Sequence, residues 1–249
     1  MGAYNKQDDI RNKGKGVRTM DGLVEALMEE LNCNVVFTIP LFGGIDVMES
    51  VVVTWIIMGI LMAASLLLVR GLKVRQIGKK QAALESAVAF IYRFFEDLLG
   101  RDGVAYIPYL ITVVVYIGVA NMIGLLGLKS PTKDLNVTAT LALMSIVLVE
   151  AAGFRKKGLK GWLKSFTEPI AIITPINILE LVIRPLSLCM RLFGNVLGAV
   201  VVMALIKYLV PLVIPLPFSF YFDIFDGVIQ AYVFVFLTSL YIKEAVETD

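Results

Sequence analysis

Apart from those near the ends of the spans, five charged side chains lie within long apolar segments of this sequence, where ionised groups are costly. They are Glu180, Arg184, Arg191, Asp223 and Asp226. An ionised side chain at the centre of a bilayer costs roughly 2.5–3.5 kcal/mol on insertion scales, so such residues usually mark ion or substrate pathways. The residue types therefore direct attention to ion chemistry carried by carboxylates, guanidinium groups and neighbouring amides.

The polar residues of the first charged segment are spaced so that they share one face of a helix. Successive separations of four, three, four and four residues join Glu180, Arg184, Ser187, Arg191 and Asn195. Glu180 and Arg184 are predicted to form an ion pair, because residues four apart are neighbours on a helix. The same surface is expected to admit another helix closely, because small residues flank Asn195, namely Gly194 and Gly198.

Arg191 has no opposite charge within helical reach on its own helix. Its partner is expected to be Asp223 or Asp226 in the last apolar segment, or a carboxylate on another protein. The two acids share a predicted face with Gly227 and Gln230, which suits the wall of an ion-accessible path.

A structural role competes with this interpretation, because intramembrane polar residues often only fasten helices together. That role is predicted for Asn121, Ser145 and Thr238, and it would also explain Glu180 with Arg184 as a structural pair.

Composition indicates a membrane protein and narrows its chemistry. Of 249 residues, 58% are hydrophobic and 18% charged, against about 45–50% and about 25% in soluble domains. The chain has no histidine, and its two cysteines, Cys33 and Cys189, form no CxxC motif. No metal site, cofactor or disulfide framework is therefore predicted, and no phosphate-binding loop motif is present.

Apolar runs long enough to cross a bilayer predict an all-α integral membrane protein with about five embedded helical regions. The runs cover residues 49–68, 106–128, 136–154, 169–210 and 221–242. The fourth is too long for one perpendicular span of a layer about 30 Å thick. It is expected to be steeply inclined, bent or divided, with Pro175 and Pro185 as bend points.

The remaining segments are predicted to lie at or outside the membrane surface. Residues 81–99 predict an amphipathic interfacial helix, and residues 211–217 a proline-rich turn. The domain division predicted is an extracytoplasmic tail at 1–48, with a short surface helix at 21–32 and an interfacial segment at 35–46, followed by one membrane domain at 49–249.

The distribution of basic residues predicts the orientation. Dense clusters follow the first and third spans, at residues 70–80 and 155–164, whereas the 15–20 positions before the first span that the rule counts contain no Lys or Arg. The N-terminus is therefore expected outside and the C-terminus in the cytoplasm. No transit peptide is visible, so a bacterial plasma membrane is the expected location.

Two motifs together resemble subunit a of the membrane sector of F-type, rotary ATP synthases. They are Arg191-Leu-Phe-Gly-Asn195, preceded by Pro185-Leu-Ser-Leu, and Gly227-Val-Ile-Gln230-Ala-Tyr-Val-Phe in the last span. Shorter stretches at 37–40 and 131–136 resemble the same family, and the resemblance extends from about residue 35 onward.

The resemblance implies a specific role for each matching residue. Arg191 matches the essential arginine that faces the carboxylate of a rotating ring of c subunits. Asn195, Gln230 and Glu180 match polar or acidic family positions, and Asp223 matches a residue of the half-channel open to the outside. Asp226 departs from the family pattern, since many relatives have an apolar residue there.

The implied function is translocation of H+ or Na+ through two half-channels, coupled to ring rotation and ATP synthesis, in a subunit that makes no ATP by itself. The implied partners are the c ring, the subunit b stalk, the rest of the synthase and the bilayer, with no nucleic acid. Two alternatives stay open from the residues alone. One is a stand-alone secondary transporter or channel with Arg191 binding an anion, and the other is a structural helper of a membrane complex.

Overall fold

The computed structural model describes residues 28, 35–39, 45–70, 78–126, 128–165, 172, 174–209 and 215–247. Within them the fold is overwhelmingly helical. The α-helices, numbered in chain order, are α1 (Glu49–Val69), α2 (Lys79–Leu99), α3 (Ile107–Met122), α4 (Leu135–Ser165), α5 (Thr174–Leu209), α6 (Pro215–Phe220) and α7 (Gly227–Val246). Short 3₁₀ segments are Arg101–Tyr106, Ile123–Leu126 and Pro131–Lys133, and a π-helical turn, Tyr221–Asp226, joins α6 to α7.

Five helical stretches are long and apolar enough to cross a membrane, which confirms the predicted number. They are Glu49–Val69, Arg101–Leu125, Leu135–Ser165, Thr174–Lys207 and Pro217–Val246. The amphipathic helix predicted at 81–99 is also present as α2, which buries Phe95 and Leu99 and exposes its charged face. The chain is an all-α integral membrane protein.

Helix α5 excludes one of the alternatives left open for the long fourth run, a division within residues 174–209. It is one helix of 36 residues that continues through Pro185 without interruption. Pro175 lies in its first turn, where a missing backbone N–H is tolerated. At 1.5 Å per residue α5 is about 54 Å long, so it fits a ~30 Å layer only if it is inclined or extends beyond it.

A β-hairpin that was not predicted precedes the first span. Strands β1 (Val35–Ile39) and β2 (Ile45–Met48) pair antiparallel within the part of the chain predicted as an interfacial segment at 35–46. The proline-rich turn predicted at 211–217 is wrong from Pro215 on, because α6 begins there. The surface helix predicted at 21–32 lies outside the described residues except for Met28, which is helical.

Helix α7 lies at the centre of the bundle, packed mainly against α3 and α4, and α5 packs along α4. Helix α2 contacts α7 from another side, where the rings of Phe94 and Tyr232 are tilted by 46° with their centroids 5.9 Å apart. The shared core contains large, fully buried side chains from several helices, namely Ile107, Leu110, Ile117, Val149, Leu188, Leu192, Phe234, Val235 and Ile242. Most of the apolar surface of α1 and α5 faces outward instead.

The turn between α3 and α4 is fixed by Asp134. Its Oδ1 accepts the backbone N–H of Asn136 at 2.9 Å and so caps the start of α4. Its Oδ2 accepts the hydroxyl of Ser50 at 2.5 Å, which joins α1 to the same turn.

Polar side chains between helices behave largely as predicted. Ser145 in α4 is 3.0 Å from the hydroxyl of Tyr109 in α3. Asn121 in α3 donates to the carbonyl of Gly227 at 3.2 Å. Thr238 is fully buried, and its hydroxyl donates to the Phe234 carbonyl of its own helix rather than to a neighbouring one.

Candidate functional site

A cavity of about 780 Å³ lies between α3, α5 and the last helical segments. Lysines stand at the end where the helices meet their connecting loops, namely Lys129, Lys133 and Lys207. Polar and acidic groups continue along its wall, namely Asn121, Ser219, Asp223, Asp226 and Gln230. The polar residues predicted to form a wall in the last span therefore line a cavity in the folded chain.

The π-helical turn gives the two acids different neighbours. The hydroxyl of Ser219 donates to Asp223 Oδ2 at 2.7 Å. Asp223 also lies against the end of α3, since a Cβ built on Gly124 would be 3.2 Å from its Oδ1. Asp226 instead faces α5. A π turn carries more residues than an α turn, so three positions along it separate the side chains more widely than the predicted α-helical face would.

Asn195 joins α5 to the last helix through Asp226 and Gln230. Its Nδ2 donates to both carboxylate oxygens of Asp226, at 2.9 and 2.8 Å, and is 3.2 Å from Gln230 Oε1. Gln230 is buried, and its Nε2 has no hydrogen-bond partner in the described part of the chain. The bidentate contact orients the Asn195 amide, because a carboxylate accepts only from the nitrogen end.

Arg191 is exposed on α5, and the residues described provide it with no hydrogen-bond or ion-pair partner. Of the partners predicted for it, Asp223 binds Ser219 and Asp226 binds Asn195. The surface beside it is open, because a Cβ added to Gly194 or Gly198 would meet no atom within 4 Å. A partner from outside this chain is the remaining predicted alternative.

The predicted ion pair between Arg184 and Glu180 is present, and it belongs to a larger group. Arg184 Nη2 donates to Glu180 at 2.7 Å and to Glu244 of α7 at 2.6 Å. The guanidinium also lies over the Tyr241 ring, 5.1 Å from its centroid. This cluster fastens α5 to α7 at the end opposite the cavity.

The variant Arg184→Gln is expected to loosen this connection. Two charge-assisted hydrogen bonds and a cation–π contact are lost, but both carboxylates are largely exposed, so the cost is about 1–2 kcal/mol. Thermal unfolding of the purified protein in detergent would measure it, with Arg93→Ala, at an exposed position of α2, as the control. Equal stability of the two variants would contradict a fastening role.

Sequence reasoning missed Ser219, Glu244 and Tyr241 as neighbours of the charged groups. Ser219 lies between the predicted turn at 211–217 and the predicted span at 221–242. It donates to Asp223 four residues later, a spacing that a predicted helix beginning at Pro215 would have revealed. Within the described ranges no group of three His, Cys, Asp or Glu side chains could hold a metal ion.

These features define a class: a multi-pass membrane protein whose charged side chains follow one long helix and the acidic helical segment beside it. The sequence model of the family described as ATP synthase A chain matches residues 51–243. The chain therefore belongs to the ATP synthase A chain family.

Several curated relatives agree with this assignment. The chain is 37% identical over 205 residues to ATP synthase subunit a of Moorella thermoacetica, covering 82% of this chain and 93% of the relative. It is 36% identical to ATP synthase subunit a 2 of a Bradyrhizobium species, covering 82% and 91%. It is 31% identical over 219 residues to the sodium ion specific subunit a of Propionigenium modestum, covering 82% and 75%.

Proposed function

We propose that this chain is the ion-translocating stator subunit of a rotary ATP synthase. H+ or Na+ passes through two half-channels at the interface with a ring of c subunits, and this flow drives the rotation that powers ATP synthesis. The chain supplies the path and the ring surface, and ATP itself is made by other subunits of the complex.

One observation carries the proposal: Arg191 is an exposed cation within an apolar helix and lacks a partner in the described chain. An isolated charge in a bilayer is costly, so an opposing carboxylate from another chain would stabilise it. A guanidinium suits this position, because it keeps its proton where a lysine ammonium readily loses it. It would attract an empty, anionic ring site and repel a free cation.

The outer half-channel is assigned to the cavity. Ions would enter at the lysine-bordered end and reach Asp223, then Asp226 and the Asn195–Gln230 pair. Buried amide donors without partners are uncommon in proteins, and the Nε2 of Gln230 is such a donor among the described residues, next to the contact with Asn195.

The cytoplasmic half-channel is assigned to the opposite end of the α5–α7 pair, beside the Arg184 cluster. Arg191 lies between the two ends along α5, so a cation cannot pass directly from one path to the other. A charge crossing 100 mV releases about 2.3 kcal/mol, so several ions must pass for each ATP.

The orientation proposed has the N-terminus outside, the C-terminus in the cytoplasm and the membrane domain at 49–249 within a bacterial plasma membrane. The two basic clusters that follow the first and third spans support this arrangement through the positive-inside rule. The subunit b stalk would hold the chain against rotation within the assembled complex.

Co-purification with the ring tests the proposal. A tagged chain expressed with the complete synthase is expected to recover a ring of small two-helix proteolipids from membranes. Substrate transport by the purified chain alone, without ring recovery, would favour the stand-alone transporter instead. Ring recovery that survives with normal coupling after Arg191→Gln would favour the structural helper.

The variant Gly194→Leu is expected to reduce ring recovery severalfold without destabilising the chain. The Cβ of a leucine at this position would meet nothing within 4 Å in this chain, and the side chain would cover part of the surface assigned to the ring. Gly59→Leu is the matched control, since Gly59 is equally unobstructed and lies on α1. Equal ring recovery for the two variants would argue against docking at this face.

A further inference from the structure

Two hydrogen bonds through the Asn121 side chain link the turn before α4 to the start of α7, and Ser130 lies close beside them. Ser130 Oγ donates to the Ala120 carbonyl at 2.7 Å and lies 2.7 Å from Thr132 Oγ1. Thr132 Oγ1 donates to Asn121 Oδ1 at 2.8 Å, and Asn121 Nδ2 donates to the Gly227 carbonyl at 3.2 Å. The three side chains are buried, with Thr132 fully enclosed.

We propose that Asn121 is a positioning residue of the outer ion path: it holds the turn that carries Asp223 and Asp226 in the geometry that ion transfer requires. This inference rests on the proposed function and adds to it a residue that does not itself bind the ion. It differs from simple helix fastening, because the group being held is the junction next to the acids.

Asn121 can influence the two acids because it binds the chain at Gly227. Gly227 is the first residue of α7 and directly follows the π turn Tyr221–Asp226. π turns are rare and occur mostly as single turns at functional sites, so their geometry depends on the contacts around them. A hydrogen bond at the end of such a turn constrains the direction in which its side chains point.

The end of α3 contacts this turn at two points on one helical face. A Cβ built on Gly227 would lie 2.9 Å from Asn121 Cβ, so the two backbones approach closely only because Gly227 lacks a side chain. One turn further, Gly124 faces Asp223, where an added Cβ would be 3.2 Å from the carboxylate oxygen. Asn121 and Gly124 are three residues apart and therefore lie on the same side.

Thr132 determines which way the Asn121 amide faces. Its hydroxyl donates to the oxygen end, which leaves the nitrogen end directed at the Gly227 carbonyl. Without this hydroxyl the amide can rotate and present its oxygen to another oxygen, which removes the bond. Thr132, which lies outside the apolar helices, thus affects the acidic turn through the Asn121 side chain.

The test compares Thr132→Val with Thr132→Ser in the complete synthase in membrane vesicles. The measurement is the rate of ATP synthesis against outside pH and outside Na+ concentration, normalised to assembled complex. Loss of one buried hydrogen bond is worth about a two- to tenfold change in an equilibrium constant, so Thr132→Val should shift the midpoint for the coupling ion by that factor. Thr132→Ser keeps the hydroxyl and should restore the original midpoint.

Two further variants separate positioning from stability. Asn121→Leu should shift the midpoint in the same direction, and adding Thr132→Val to it should produce little further change, since both act through one bond. Ser145→Ala removes a buried hydroxyl elsewhere in the bundle, where it contacts Tyr109 of α3 away from the cavity. It should lower stability without moving the midpoint. If the complex with Asn121→Leu does not assemble, the comparison of Thr132→Val with Thr132→Ser is sufficient to test the proposal.

The outcomes are distinguished by including Asp223→Asn. A midpoint shift in Asp223→Asn without one in Thr132→Val overturns the positioning role and leaves the proposed function intact. A shift in Ser145→Ala equal to that in Thr132→Val also overturns it, because general loosening would then be the cause. No shift in any variant, including Asp223→Asn, contradicts the outer path itself and the inference with it.

Discussion

Alanine in place of Arg191 is expected to reduce ion-driven ATP synthesis to the background of the assay while the complex still assembles. The side chain is exposed and has no partner among the described residues, so its removal leaves no unpaired group in this chain. Unfolding stability should change by no more than about 0.5 kcal/mol, as for other exposed substitutions. The ring carboxylate would lose the fixed cation that discharges it. Synthesis in energised vesicles, together with ring recovery, measures both effects.

Two comparison variants test whether any positive charge is sufficient at this position or whether a guanidinium group is required. Arg191→Lys keeps a cation but offers an ammonium that loses its proton more readily in a poorly hydrated site, so coupling should remain strongly impaired. Arg93→Ala removes an exposed arginine from α2 and should leave synthesis unchanged. Normal coupled ATP synthesis in Arg191→Ala would show that Arg191 does not have the assigned role. Normal synthesis in Arg191→Lys would favour the structural helper.

The spans could be predicted because the hydrocarbon layer imposes length and composition on any helix that crosses it. The end of the third span could not, because helix α4 continues beyond the apolar run. Gly158 then adopts a positive φ of 69°, and Trp162 donates to Glu150 at 2.9 Å, so the chain turns back on itself. Hydropathy encodes neither this kink at Gly158 nor the contact between the two side chains.

The hairpin before α1 was within reach of the sequence. Two apolar stretches, β1 and β2, flank residues 40–44, which contain one proline and two glycines. That arrangement is typical of strands joined by a loop. The prediction of an interfacial segment rested on the interruption of the apolar run by this proline and these glycines. The strands instead pair, and the Thr38 hydroxyl donates to Asp46 at 2.6 Å.

The polar face of α5 could be predicted because helical spacing is a property of the local sequence, whereas the partners of that face depend on the tertiary fold. Glu244 lies 60 residues from Arg184 and near the end of its helix, so no spacing rule links the two. The two acids of the last segment were predicted to share a face. The π turn directs one toward α3 and the other toward α5, and the end of α3 approaches this part of the chain closely at Gly124 and Gly227.

The variant Asp223→Asn is expected to slow ion-driven synthesis by about tenfold or more and to change its dependence on outside pH or Na+. Asp223 lies in the wall of the cavity, and its visible fixed partner, Ser219, is a neutral hydroxyl that leaves the carboxylate available to an ion. An amide of the same shape cannot take up a proton and binds a cation more weakly. A tenfold loss corresponds to about 1.4 kcal/mol, a modest demand for a carboxylate in a partly buried path.

Asp97→Asn provides the matched control, because Asp97 is an exposed acid on α2, outside the cavity lining. Asp226→Asn extends the comparison, since Asp226 is already bound at both oxygens by Asn195. If an ion must displace that amide, Asp226→Asn should alter the rate less than Asp223→Asn. A rate in Asp223→Asn that equals the unmodified rate at every pH and Na+ concentration would make Asp223 a structural residue, and ions would then have to reach Arg191 by a route that avoids the cavity.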